Sequence, residues 1–319
     1  MSRRFVSAFA GELDEFLTYK RALGHPYARS EYTLLSFDRF VREHGGTKPH
    51  RELERLLLAW LSRLEDRKPV SVTNEIATIR QFCLFRRRRD PRAFVPGRVW
   101  APQSTVSEFL PYVLSEAEVR KLLAQTEKLR WPFDRLTART LVLVLYCTGL
   151  RVGEALRLEL GDVDLRVGSF FVRHSKRKSR LVPFGRDLGA KLKAYRARRE
   201  SIADIAQCAA LFVRHDGRPL GVRTGSQILR VLLRQAGLKP ARGRVGPRPY
   251  DLRHTYAVHR LTRWHRAGVE VHSRLPLLSA YMGHDDILGT EVYLTATPEL
   301  LAIAARRFEA HFSSARPRP

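Results

Sequence analysis

The chain has 319 residues, 44% of them hydrophobic, with 58 Lys and Arg against 32 Asp and Glu for a formal net charge of +26. This length and apolar content allow a substantial core, favour two domains over one and exclude a disordered tail. The cationic excess calls for a polyanionic partner, nucleic acid first, because each Lys or Arg that neutralises a phosphate releases condensed counterions.

Near the start, Glu12 and Asp14 interrupt the short apolar stretch before a signal-peptide core can form. From Phe5 to Arg89 the pattern is helical: Leu13, Phe16 and Leu17, then Leu34, Leu35, Phe37 and Phe40, recur at three- and four-residue steps. Gly45-Gly46 and Pro69 punctuate it, and two more helices, Arg51 to Leu64 and Val72 to Arg88, complete an all-helical domain over residues 1–90. Arg86, Arg87, Arg88 and Arg89 close the last helix. A helix C-terminus favours cations, but four adjacent arginines point around the whole helix, so phosphate contact is expected of them. Pro91, Pro96, Pro102 and Pro111 mark residues 91–112 as a linker.

The second domain, residues 113–319, opens on a capping box, Ser115 with Glu118, with Leu114 placed to staple onto Val119. Leu141 to Leu150, the most apolar run, is about half the length of a membrane span and reads as a buried helix. That helix stops at Gly149, which puts Arg151 at the start of the next one. Over Val163 to Phe184 the period changes to an alternation around a basic turn, His174 to Arg180, predicting a β-hairpin. Helices follow at Leu188 to Arg199, Gly225 to Gln235, Asp251 to Ala267, Leu275 to Met282 and Pro298 to Phe312. The fold class is mainly α with a small antiparallel β-hairpin or sheet.

Cys83, Cys147 and Cys208 are odd in number and lack paired-ligand spacing, so neither a disulfide framework nor a zinc site is indicated, and a reducing cytoplasm fits. Three distant segments carry the chemistry: Thr148-Gly149-Leu150-Arg151, Asp251-Leu252-Arg253-His254, and Gly283-His284 with Tyr293 nine positions on. Two guanidiniums can hold a pair of phosphate oxygens, an imidazole can donate to the same group, and a phenol can attack the phosphorus.

In these segments the chain resembles the tyrosine recombinase (phage integrase) family. Thr148 to Asp162, Lys176 to Pro183, Asp251 to Ala257 and Leu277 to Tyr293 match the family text, while the N-terminal helices resemble its core-binding domain in architecture. The resemblance implies a C-shaped clamp on duplex DNA and a site-specific recombinase working through a covalent 3′-phosphotyrosine. Arg151, Arg253 and His284 would stabilise the transition state and Tyr293 would be the nucleophile, with no metal or other cofactor. It implies a lysine in the hairpin turn that protonates the leaving 5′-oxygen: Lys176 fits the text better than its rival Lys178, and Lys178 and Arg180 are then expected to touch DNA.

Tyr250 stands where the family has a histidine or lysine; with an unperturbed pKa near 10 a phenol can donate a hydrogen bond but is a poor base at neutral pH. His254, about a hundred degrees around the helix from Arg253, reads as a buried, hydrogen-bonded structural histidine. The expected assembly is a homotetramer on two recombination sites, or an assembly with related recombinases, at the nucleoid in the cytoplasm and without membrane attachment. The final helix packs either on its own domain or on a neighbouring protomer. No arm-binding domain is expected before Phe5, and Lys176 to Pro183 and Leu277 to Thr295 look most like transposon-borne members. Two rival readings are a type IB topoisomerase and a DNA-binding accessory subunit that has lost cleavage.

Overall fold

The computed structural model describes residues 5–45, 52–63, 67, 69–97, 111–175, 178–202, 208–243, 245–284, 288–291, 293, 294, 302, 305 and 309. It divides into two compact units, Met1–Phe109 and Leu110–Pro319.

Among the described residues four helices build the first unit: α1 (Ala10–Ala22), α2 (Ala28–His44), α3 (Leu53–Ser62) and α4 (Pro69–Arg87). Their apolar stripes meet in an aromatic-rich core, with Phe9, Phe16, Phe37, Trp60 and Phe82 fully buried. Edge-to-face contacts such as Phe16 on Phe82, at 5.7 Å between ring centroids, tie α1 to α4. The proline-rich stretch that reads as linker begins as part of this unit. Phe94 and Val95 pack on its core, and Arg80 Nε donates to the Pro96 carbonyl at 3.1 Å. Proline density signalled an irregular backbone, which is not the same as an unpacked one.

In the second unit, α5 (Glu116–Gln125) starts on the expected capping box, with Ser115 accepting from the Glu118 amide. The centre is α6 (Pro132–Thr148), whose Leu141, Val142, Val144 and Leu145 are buried, and which packs against α8 (Arg186–Glu200), α9 (Val222–Gln235) and α10 (Asp251–Arg266). A one-turn helix, α7 (Val152–Ala155), follows directly. The sheet is antiparallel in the order β1-β2-β3, with β1 (Val163–Asp164), β2 (Ser169–Ser175) and β3 (Lys178–Pro183). Phe170 faces Val182 on the buried side, and Phe171 pairs with Leu181 on the exposed one.

Beyond the sheet, α11 (Val271–Met282) begins four residues earlier than the sequence suggests, because Glu270, an uncommon cap, accepts from the His272 and Ser273 amides. Pro276 therefore sits inside the helix and not at its first turn. A short α12 (Leu288–Glu291) follows. Of the Pro298 to Phe312 helix, Ala302, Ala305 and Glu309 are helical and the remainder lies outside the described residues. No helix among the described residues is long and apolar enough to cross a membrane.

Candidate active site

Two left-handed glycines set the site. Gly149 ends α6 at φ 63°, and Gly283 ends α11 at φ 67°. A Cβ on Gly149 would lie 2.5 Å from Tyr256 Cδ1, and one on Gly283 would lie 2.7 Å from Arg180 Nη1. Both turns thus need glycine for conformation and for space.

The turn at Gly283 gathers three guanidiniums from three different elements. Arg180 Nε on β3 donates to the Tyr281 carbonyl at 2.8 Å, Arg253 Nη2 on α10 to the Met282 carbonyl at 2.6 Å, and Arg151 Nη2 to the Gly283 carbonyl at 2.9 Å. These are consecutive carbonyls at a helix C-terminus, the negative end of its dipole, where cations are favoured. Arg253 Nη1 also donates to the Gly149 carbonyl at 2.7 Å, linking the two turns.

Beneath the arginines lies Glu154, its side chain 2% exposed. Oε1 accepts from Arg151 Nη1 at 2.6 Å and Oε2 from the Arg151 amide at 2.9 Å. Arg180 closes on the same carboxylate, with Nη2 2.9 Å from Oε2 and Nη1 3.3 Å from Oε1. Glu154 stands three residues after Arg151, a spacing that by itself is ordinary for a surface pair. Its burial is completed by Arg180 of β3, which is distant in sequence.

Tyr293 is 2% exposed and lies against this cluster. Its ring centroid is 5.3 Å from that of His254 and 6.1 Å from that of His284. Burial pushes the Tyr293 hydroxyl up to about 12, against the pull of the adjacent Arg253 guanidinium. Burial also lowers the pKa of Arg253, with the nearby Arg151 charge acting in the same direction. His284 caps the end of α11 with its amide donating to the Ser279 carbonyl at 3.0 Å, and its Nδ1 is 2.6 Å from Thr290 Oγ1. Arg151, Arg253, His284 and Tyr293, read from segments far apart in the chain, are brought together.

His254 departs from its expected role. It is buried, yet its Nδ1 has no hydrogen-bond partner, and its Nε2 lies 3.8 Å from Asp251 Oδ1, beyond hydrogen-bond range. Its ring meets Tyr250, one helical turn earlier, edge-on at 4.9 Å and lies tilted against Tyr293. Burial lowers its pKa to about 4, so at neutral pH the imidazole facing the phenol is uncharged. Tyr250 caps α10 and is 38% exposed, at the rim of the cluster.

The remaining candidates lie elsewhere or are differently engaged. Lys176 falls outside the described residues, and Lys178 begins β3 opposite Ser175. Arg180, expected on DNA, faces inward instead, because it shares a strand face with buried Val182. In the first unit, Arg86 forms an ion pair with Glu12 and stacks over Phe9 with its side chain 10% exposed, which makes it a tie between α1 and α4 and corrects the phosphate-contact expectation. Arg87, Arg88 and Arg89 stay exposed; Arg88 donates to the Tyr19 hydroxyl at 2.6 Å and Arg89 pairs with Glu15. Among the described residues no group of three His, Cys, Asp or Glu side chains is placed to hold a metal ion.

Comparison with known proteins gives the same direction. The phage integrase family model matches residues 112–299. The integrase/recombinase y4rB of Sinorhizobium fredii is 33% identical over 311 residues, covering 95% of this chain and 98% of the relative. Among solved structures, the Tn1549 transposon integrase in complex with transposon right end DNA aligns with a TM-score of 0.63 at 16% identity, over 92% of this chain and 98% of that one. A lambda integrase tetramer bound to a Holliday junction aligns with a TM-score of 0.61 at 17% identity, over 89% and 76%.

Proposed function

Because the chain belongs to the phage integrase family, we propose that the cluster at the Gly283 turn is its DNA strand-transfer centre, with Tyr293 as the nucleophile. The protein is a site-specific DNA recombinase of the tyrosine class, cutting and rejoining duplex DNA through a 3′-phosphotyrosine. In this centre the Tyr293 oxygen attacks the scissile phosphorus as its phenolic proton passes to a neighbouring imidazole, His254 or His284, the bond to the 5′-oxygen breaks, and Lys176 supplies the proton that the leaving oxygen takes. Arg151, Arg253 and His284 neutralise charge on the non-bridging oxygens as the phosphorus becomes pentavalent. Fixed donors of this kind are each worth about 10²–10³ in rate where water is excluded. The phosphodiester energy is conserved in the tyrosyl ester, and attack by a 5′-hydroxyl reverses the step.

The observation that carries this reading is the convergence of Arg151 and Arg253 on adjacent carbonyls, 283 and 282, beside Tyr293 and His284. The finer assignment is a homotetramer, or an assembly with related recombinases, on two sites in the cytoplasm. The tetramer in this assignment rests on the alignment with a lambda integrase tetramer bound to a Holliday junction. Arg87 to Arg89 in the first unit and Lys178 in the second are DNA contacts.

A nicked suicide substrate tests the reaction. Wild-type protein is expected to form a covalent adduct resistant to boiling in detergent, and Tyr293→Phe to bind DNA equally and form none. If the wild type also forms none while binding, the protein is a DNA-binding accessory subunit.

A further inference from the structure

We infer that Arg180 is a positioning residue for strand transfer and not a DNA contact; this rests on the strand-transfer reading above. Each of its nitrogens is engaged inside the unit. Nη1 and Nη2 grip Glu154 at 3.3 and 2.9 Å, and Nε donates to the Tyr281 carbonyl at 2.8 Å. Its side chain is 12% exposed, and the guanidinium fills the space that any Cβ on Gly283 would need. To reach a phosphate it would have to abandon a buried carboxylate, which is strongly unfavourable.

The consequence falls on Arg151. Glu154 fixes the Arg151 amide and one edge of its guanidinium, at 2.9 and 2.6 Å, so the carboxylate sets where the other edge points. Arg180 holds that carboxylate from the opposite side and, at Tyr281, the helix end whose next two carbonyls receive Arg253 and Arg151. Without it, Glu154 has one guanidinium to follow in place of two, and the turn carrying His284 loses an anchor. Lysine cannot substitute, since a point charge lacks the planar fork that spans both carboxylate oxygens and a carbonyl at once.

The probe is a duplex selected from a randomised pool by binding to Tyr293→Phe and rebuilt as a nicked suicide substrate. It is made with either the native scissile phosphodiester or a methylphosphonate, which has no charge for a guanidinium to neutralise. Arg180→Gln and Arg180→Lys are expected to bind the native duplex within about twofold of wild type and with the same salt dependence, whereas loss of a phosphate contact lowers the slope by about one. Adduct formation on the native substrate is expected to fall about 100-fold, the scale of an ångström misplacement. On the methylphosphonate the gap to wild type should close to about threefold, as for Arg151→Ala, because the misplaced charge is no longer needed.

A reduced salt slope overturns the inference in favour of a DNA contact. Equal losses on both substrates overturn it in favour of a general folding defect, which melting of the same variants identifies independently. An adduct from wild type and variants alike overturns it and leaves the strand-transfer reading standing; no adduct from wild type overturns both.

Discussion

Replacing Gly149 by alanine should damage stability and chemistry together. At φ 63° the backbone is left-handed, which costs an L-residue about 1–2 kcal/mol. The new methyl would meet Tyr256 Cδ1 at 2.5 Å and Cγ at 3.0 Å. That ring cannot swing away freely: it is 7% exposed and stacked on Tyr281 with centroids 5.6 Å apart. Overpacking of this kind adds about 1–3 kcal/mol, for a total near 3 kcal/mol. In a unit of this size each kcal/mol moves the midpoint by about 2–4 °C, so the transition of the second unit should fall by about 6–12 °C in scanning calorimetry of the full chain. Gly161→Ala is the control: nothing lies within 4 Å of its added Cβ, and its φ is not left-handed. Its midpoint should move by no more than about 2 °C. Because Arg253 Nη1 hangs on the Gly149 carbonyl, adduct formation by Gly149→Ala should also fall at least about tenfold below that of Gly161→Ala. Equal melting shifts in the two variants would refute the reasoning.

Tyr250→His is expected to leave DNA binding unchanged and to raise cleavage, since an imidazole exchanges protons near neutral pH and a phenol does not; slower cleavage would show that the phenol has a role of its own. His254 predicts an acid dependence. Burial lowers it from 6.5 to about 4, so below pH 6.5 the unfolded chain takes a proton that the fold refuses, and the second unit loses about 3 kcal/mol as pH falls from 6.5 to 4. In His254→Gln that component should be absent from urea titrations at pH 7 and pH 4.5, and an unchanged difference between the two pH values would contradict it. Glu154→Gln removes the charge between Arg151 and Arg180 and should destabilise by about 3–5 kcal/mol; a calorimetric change below about 1 kcal/mol would count against the buried ion pair.

The legible parts of this chain were those written locally. Ser115 and Glu118 are three residues apart and define a helix start by themselves, and the stop at Gly149 follows from a glycine after an apolar run. Arg151, Arg253, His284 and Tyr293, each singled out by the short motif text around it, lie together in the fold. What escaped depended on partners distant in sequence. Glu154 is i+3 to Arg151, which by itself suggests a surface pair; its burial requires Arg180, from β3. That Arg180 faces inward was concealed by the basic residues around it in the turn, although the strand period places it on the face of Val182. Arg86 was misread likewise, since a run of four arginines does not reveal that Glu12 on another helix claims the first. The start of α11 was hidden because glutamate is a rare cap.

The three guanidiniums at Tyr281, Met282 and Gly283 bear on how any alanine scan of this site is interpreted. A helix C-terminus presents partial negative charge, so a phosphate beside it would be repelled if those carbonyls were bare. On the strand-transfer reading proposed above, removing Arg151 or Arg253 both deletes a donor to the reacting phosphate and uncovers an opposing dipole beside it. The measured loss will contain both contributions and will overstate what either arginine does for the transition state.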